Sequence, residues 1–92
     1  MTGDVYYNSE VEYNRPVFPE QELGMAVVMK AVEDANDGYP THKRKEARKF
    51  LCGYNKAWED SLYSWCEVAN IEATFIIRKS REKWFKDGRY IW

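Results

Sequence analysis

The 92-residue sequence has few of the residues that mark a fibrous, secreted or membrane-spanning protein, with five Gly, three Pro and two Cys. So little Gly and Pro excludes a collagen-like or low-complexity chain. A small secreted domain usually carries more cysteines, so Cys52 and Cys66 fit buried thiols of a cytoplasmic protein. The longest apolar run, Met25–Met29, is far shorter than the roughly 18 residues of a membrane span. Met1–Asp4 lacks the basic and apolar regions of a signal peptide, so we expect a cytoplasmic protein with no membrane contact.

The sequence is instead rich in aromatic residues, which make up 16% of it beside 32% charged residues. Each aromatic side chain can bury ~150–250 Å², so we expect one domain over residues 1–92 that folds without metal or disulfides. Residues 1–38 carry eight acids and two bases, whereas residues 39–92 carry seven acids and twelve bases. This asymmetry predicts either a basic face for a partner or an acidic N-terminal segment that packs near the basic part.

Capping residues and apolar periodicity predict four helices, at residues 19–37, 42–52, 56–69 and 72–86, after an extended arm or short hairpin at 1–18 and before an aromatic tail at 87–92. Pro19 suits the first helical position, and Thr41 and Asn55 are N-cap residues. Gly53 ends the second helix, and Asn70 suits the left-handed conformation of a C-cap. The expected fold class is therefore mainly α, a compact bundle of about four helices with a helix-turn-helix-like C-terminal pair.

Apolar residues repeat every three to four positions in each predicted helix, which assigns one face of each to the core. Gly24 lies within the stripe of the first helix, where Gly costs about 1 kcal/mol relative to Ala, and therefore marks a close helix crossing. The predicted core consists of Leu23, Val27, Ala31, Ala47, Phe50, Leu51, Trp58, Leu62, Trp65, Cys66, Ala69, Ile71 and Ile76.

Two clusters of basic residues are the candidate binding surface. The last two predicted helices, joined by a tight turn at Asn70-Ile71, are similar to a helix-turn-helix, whose second helix enters the major groove. The outer face of that second helix carries Thr74, Arg78, Lys79, Arg81, Lys83 and Lys86, and the second predicted helix carries Lys43, Arg44, Lys45, Arg48 and Lys49. Lys and Arg neutralise phosphates, and Arg also reads guanine edges. The clusters therefore predict a nucleic-acid-binding or partner-binding surface, and the alternative is two solvated faces of an ordinary bundle.

Catalytic and metal sites have little support in the sequence. Cys52, Cys66 and His42 lack the spacing of a metal site. His42, the single histidine, lies in a basic segment with no paired carboxylate, and Glu59-Asp60 point in different directions on a helix. The sequence also has no Gly-rich loop that could cradle a phosphate. We therefore expect a non-enzymatic protein without metal or cofactor.

Three segments, Glu22–Asp34, Arg44–Leu51 and Trp65–Ile71, resemble small uncharacterised helical proteins of phages and prophages. The resemblance covers about residues 20–80. Those relatives usually have Gly in place of Asn70, Asp-Pro in place of Glu72-Ala73 and an outward Arg in place of Ile77. The last helix therefore departs from the relatives at three places.

The resemblance implies one of two roles for so small a protein. The first is a phage nucleic-acid-binding accessory or regulator, which agrees with the basic clusters and is the leading hypothesis. The second is an inhibitor of a host defence system, anti-CRISPR-like, that binds an effector complex. The expected partner is accordingly nucleic acid or a host nucleoprotein complex. Aromatic residues near both termini also allow association into a homo-oligomer.

Overall fold

The computed structural model describes residues 19–92, and the arm or hairpin predicted for residues 1–18 lies outside them. The described chain forms four helices and a short hairpin: α1 Pro19–Ala35, α2 His42–Cys52, α3 Lys56–Ala69, α4 Ala73–Trp84, β1 Phe85–Lys86 and β2 Arg89–Tyr90. The prediction of a mainly helical bundle is confirmed. α1 packs against α2 and α3, and α2 also packs against α4. Within residues 19–92, no helix is both long and apolar enough to cross a membrane.

The predicted helix ends are confirmed wherever a capping residue defines them. The Thr41 hydroxyl accepts a hydrogen bond from the Arg44 amide at 3.1 Å, and the Asn55 side chain accepts one from the Trp58 amide at 3.0 Å. These bonds satisfy amide groups in the first turns of α2 and α3. Left-handed Gly53, at φ 58°, and Asn70, at φ 62°, end the same two helices. Local chemistry alone therefore sets the bounds of α2 and α3.

The predicted end of α4 is wrong, because Phe85 and Lys86 form a strand instead of the last half-turn of a helix. Phe85 pairs with Tyr90 and Lys86 with Arg89 in antiparallel register. Asp87 and Gly88, at φ 52° and 81°, form the two-residue loop between them. A loop with positive φ at both positions matches the twist of the flanking strands and so favours a hairpin. α1 also ends two residues earlier than predicted, at Ala35.

The core lies between the helices around the fully buried Leu51, Cys52, Leu62 and Cys66. Six predicted core residues are buried: Ala47, Phe50, Leu51, Leu62, Cys66 and Ala69. Six more are partly buried against this core: Val27, Ala31, Trp58, Trp65, Ile71 and Ile76. The prediction for Leu23 is wrong, since the residue is 56% exposed. The buried face of α1 is centred on Gly24 and Val28 instead, and Leu23 is turned about 100° from Gly24.

Two close contacts of the core explain why position 24 is a glycine and why position 77 is apolar. A Cβ atom at Gly24 would lie 2.9 Å from the Ala69 amide nitrogen and 3.0 Å from the Trp65 carbonyl oxygen of α3. The predicted close crossing is therefore confirmed, between α1 and α3. Ile77 is 8% exposed, and its Cδ1 would lie 3.4 Å from a Cβ at Gly53. Position 77 therefore faces the core in this chain.

Candidate nucleic-acid interface

Charge is divided between two pairs of packed helices. α2 and α4 together carry nine Lys and Arg against two Glu, whereas α1 and α3 carry seven Asp and Glu against two Lys. The division does not follow the two halves of the sequence, because α3 belongs to the basic half and is itself acidic. We call the surface of α2, α4 and the β1–β2 hairpin the basic side, and the surface of α1 and α3 the acidic side.

Arg48, one of the predicted binding residues, points into the protein. Its Nε donates to the Ala35 carbonyl at 2.9 Å, and its Nη1 donates to the Trp92 main-chain oxygen at 3.2 Å. The guanidinium lies 5.0 Å from the centroid of the Trp84 ring. Burial, and then the neighbouring Arg44, lower the pKa of Arg48. Arg48 thus ties the end of α1 to the segment after the hairpin through Nε and Nη1.

Arg81 and Arg44 make similar bridges to main-chain oxygens. Arg81 donates from Nε to the Cys52 carbonyl at 2.9 Å and from Nη2 to the Gly53 carbonyl at 3.2 Å. It therefore satisfies carbonyls at the end of α2, which have no partner within that helix. Arg44 donates to the Asp37 carbonyl and to the Trp92 main-chain oxygen, both at 3.2 Å. Three of the predicted binding residues are thus bridges between structural elements.

The three lysines of α2 remain at the surface. Lys43 and Lys45 are exposed, and Lys49 is half-buried with its Nζ 5.4 Å from the centroid of the Tyr54 ring. Within residues 19–92, none of the three forms a salt bridge. A lysine of this kind can contact an anion without first breaking an ion pair of the described chain.

The predicted residues of α4 are exposed but take part in weak contacts. Arg78 and Lys79 lie 4.0 and 3.8 Å from the Glu82 carboxylate. Exposed ion pairs of this kind contribute at most about 1 kcal/mol, so a phosphate can displace them at little cost. Lys83 donates to the Asn36 side-chain oxygen at 2.7 Å. The remaining member, Thr74, donates its hydroxyl hydrogen to the Glu72 carboxylate at 2.8 Å.

Lys86 is the last of the predicted binding residues, and the hairpin gives it a basic neighbour that sequence reasoning missed. Lys86 lies directly across the two strands from Arg89, and both are exposed. A helix that extends to residue 86 places Arg89 in the aromatic tail, so the predicted binding residues do not include Arg89. The Asp87-Gly88 dipeptide between aromatic and basic residues was the signal that could have identified it.

His42 pairs with a carboxylate at the surface, and the two thiols are buried. The His42 imidazole lies 2.8 Å from the Glu46 carboxylate, so the expectation that His42 has no carboxylate partner is wrong. The pair spans one turn of α2 and both side chains are exposed. Cys52 and Cys66 are unpaired and buried, as predicted. Burial raises the pKa of Cys52 to about 11 and also raises that of Cys66. Within residues 19–92, no three or more His, Cys, Asp or Glu are placed to hold a metal ion.

No protein-family model matches the chain, and no curated protein or solved structure is significantly similar to it. The resemblance to small phage proteins therefore stays a prediction. The features that bear on function are the division of charge, the lysines that remain at the surface and the hairpin.

Proposed function

We propose that the protein is a non-enzymatic nucleic-acid-binding protein that contacts the phosphate backbone with its basic side. The observation that carries this proposal is the division of charge between the two helix pairs. A net charge of −1 for the whole chain is unusual for a nucleic-acid-binding protein. The charges of neighbouring residues add locally, however, so a surface whose two helices carry nine bases and two acids attracts an anion, while the acidic side repels it.

The contacting residues are surface cations of the basic side that do not bridge structural elements within residues 19–92. They are Lys43, Lys45 and Lys49 on α2, Arg78 and Lys79 on α4, and Lys86 and Arg89 on the hairpin. Binding of each phosphate by one of them releases condensed counterions, so affinity falls as salt is added. Arg44, Arg48 and Arg81 support this surface by holding α2, α4 and the segment after the hairpin together.

The experiment compares the binding of variants that lack one lysine of the basic side with that of variants that lack one lysine of the acidic side. Fluorescence anisotropy measures binding of a random-sequence duplex and a single strand at several salt concentrations. We expect Lys45→Gln and Lys79→Gln each to weaken binding and to lower the salt slope by about one unit. Lys56→Gln and Lys30→Gln on the acidic side change the net charge equally and should leave binding as it is.

Two results would contradict the proposal. The first is no binding of either nucleic acid at ~50 mM salt with ~10 µM protein, since non-specific binders reach about 1–100 µM even at physiological salt. The second is an equal loss from the variants of both sides, because binding would then depend only on net charge and not on one surface.

A separate observation favours a second candidate, inhibition of a host defence system through contact with an effector complex. An apolar groove of about 200 Å³ lies between α1 and α4, with Val32, Ile76 and Trp84 among its lining residues. Phe75 also lines this groove and is 49% exposed. Exposed apolar surface of this kind marks contact with another protein. For this candidate we expect a defined effector protein to be recovered from host lysate after nuclease treatment, and Phe75→Asp to abolish its recovery.

A further inference from the structure

Four aromatic side chains form a continuous cluster where the hairpin meets the loop between α2 and α3. The Tyr90 and Trp92 rings are stacked, with centroids 4.9 Å apart and an interplanar angle of 5°. Tyr54 meets both of them edge-on, at 5.3 and 5.4 Å. Phe85 lies across the hairpin from Tyr90, with ring centroids 4.6 Å apart. The cluster thus joins a loop, both strands and the segment after the hairpin.

Hydrogen bonds hold one part of this aromatic cluster in place, while two of its rings are exposed. Arg44 and Arg48 both donate to the Trp92 main-chain oxygen, which fixes the segment that carries the stacked rings. Tyr54 and Phe85 are nevertheless 44% and 41% exposed. An aromatic surface that stays exposed and is already ordered loses little conformational freedom when a ligand binds. The two exposed rings are therefore the places where a planar ligand can add to the cluster.

Cations surround the aromatic cluster. The Lys49 ammonium is 5.4 Å from the centroid of the Tyr54 ring. Lys86 and Arg89 are cross-strand partners, and like charges in that position destabilise a hairpin. Asp87 is the single acid of the hairpin and lies in its loop. A phosphate beside Lys86 and Arg89 would remove their repulsion, so the hairpin itself gains stability from an anionic ligand.

We infer that the aromatic cluster binds unpaired bases of single-stranded nucleic acid by stacking, with the surrounding cations on the adjacent phosphates. This inference rests on the proposed function and assigns part of it to one place. Bases of a duplex are already stacked on one another, whereas those of a single strand can stack on exposed rings. Tyr54 and Phe85 supply these rings. Every base has a π-face, so the site discriminates single strand from duplex and not one sequence from another.

The experiment measures anisotropy with three probes of equal length: a single-stranded DNA, the same strand without its bases, and a duplex. A matching single-stranded RNA compares the two sugar backbones. We expect the intact DNA strand to bind more tightly than the abasic strand. Tyr54→Leu and Phe85→Leu should each weaken binding of the intact strand roughly tenfold, as loss of one base stack does, and leave duplex binding as it is.

Two variants control for the loss of an exposed aromatic ring as such. Tyr39→Leu removes a ring that is 74% exposed and lies in the loop between α1 and α2, outside the aromatic cluster. We expect it to leave single-strand binding unchanged. Phe85→Tyr keeps a ring in the aromatic cluster and should bind as the natural protein does. Thermal unfolding of each variant shows that its fold is retained.

The outcomes separate this inference from the proposed function. Equal binding of the intact and abasic strands would overturn stacking and leave phosphate binding standing. Full single-strand affinity in both leucine variants of the cluster would overturn the assignment to this place, as would a loss confined to Tyr39→Leu. Failure of all probes to bind would overturn the proposed function and the inference with it.

Discussion

Replacement of Gly24 by alanine tests the closest helix contact of the bundle, because two effects with opposite signs meet there. Ala is a better helix former than Gly by about 1 kcal/mol, so propensity alone predicts a more stable protein. The packing predicts the reverse. A Cβ at position 24 would lie 2.9 Å from the Ala69 amide nitrogen, 3.0 Å from the Trp65 carbonyl oxygen and 3.1 Å from the Ala69 Cβ.

The magnitude follows from the kind of atoms that the new Cβ meets. Two of the three are main-chain atoms of α3, which cannot move away as the end of a flexible side chain can. α1 and α3 must therefore separate, and overpacking of this kind costs ~1–3 kcal/mol. We take the upper end, since the neighbours are rigid, and subtract the gain in propensity. The expected net loss of stability is about 2 kcal/mol, which lowers Tm by roughly 8–16 °C for a domain of this size.

Thermal and urea unfolding followed by circular dichroism measure this loss. Gly38→Ala is the control, because nothing lies within 4 Å of its Cβ and its φ is not positive. We expect it to change stability by less than ~0.5 kcal/mol. An added Ala69→Gly removes one close neighbour but leaves both main-chain atoms, so it should not restore stability. A Gly24→Ala protein that is as stable as the natural one would refute the close approach of α1 to α3.

Three further predictions concern the arginine bridges, the thiols and the end of α3. Arg48→Leu leaves the Ala35 carbonyl without its charged donor and should lower the free energy of unfolding in urea by about 2–4 kcal/mol. Lys45→Leu should lower it by less than ~0.5 kcal/mol, and equal losses from the two variants would contradict the bridge. Cys52 and Cys66 should react with a thiol reagent at pH 8 far more slowly in the native protein than in urea, because burial raises both pKa values, and fast native labelling would show exposed thiols. Asn70→Ala should destabilise by about 1 kcal/mol and Asn70→Gly should not, since φ is 62° there; equal stability of the two variants would contradict the left-handed cap.

The parts of the fold that local chemistry controls could be predicted from the sequence. Each capping residue makes hydrogen bonds with main-chain groups about one turn away in the sequence, as Thr41, Asn55, Gly53 and Asn70 do. Their effect can therefore be predicted without knowing which other helices pack nearby. The end of α4 depends on a competition between one more helical turn and a hairpin. The sequence from Phe85 favours both, because Phe and Lys are tolerated in helices and Asp-Gly favours a hairpin loop. Pairing of Phe85 with Tyr90 decides it, and the helical periodicity did not take that pairing into account.

The centre of the buried face of α1 could not be predicted for a different reason. Val27 and Ala31 of the predicted stripe pack against the core, but Leu23 is exposed. The buried residues of α1 are Gly24, Val28 and Ala35. The close crossing with α3 centres the buried face on Gly24, because only Gly24 lets the two main chains approach. Packing between helices thus outweighs the hydrophobicity of one helix. The small size of residue 24 was visible in the sequence, but the helix that it faces was not.

The basic side could be predicted as a set of residues but not as two groups with different roles. Arg44, Arg48 and Arg81 lie off the apolar stripes, as Lys43, Lys45 and Lys79 do, so periodicity treats them alike. Their long side chains reach carbonyls at the ends of other elements. Which carbonyls lie within reach depends on how the helices are arranged, and no local pattern contains that information.

The division of roles between arginine and lysine bears on the kind of recognition that the basic side can perform. A guanidinium presents several donors in a fixed plane, so it suits bridges to main-chain oxygens and also the reading of guanine edges. In the described chain three arginines are used for bridges, Arg78 lies beside Glu82, and Arg89 remains exposed on the hairpin. The surface that remains is rich in lysine, which contacts phosphates as a point charge and carries little sequence information. Stacking on the aromatic cluster is equally tolerant of sequence, so both parts of the proposed surface favour binding that depends on salt and strandedness, with little preference among bases.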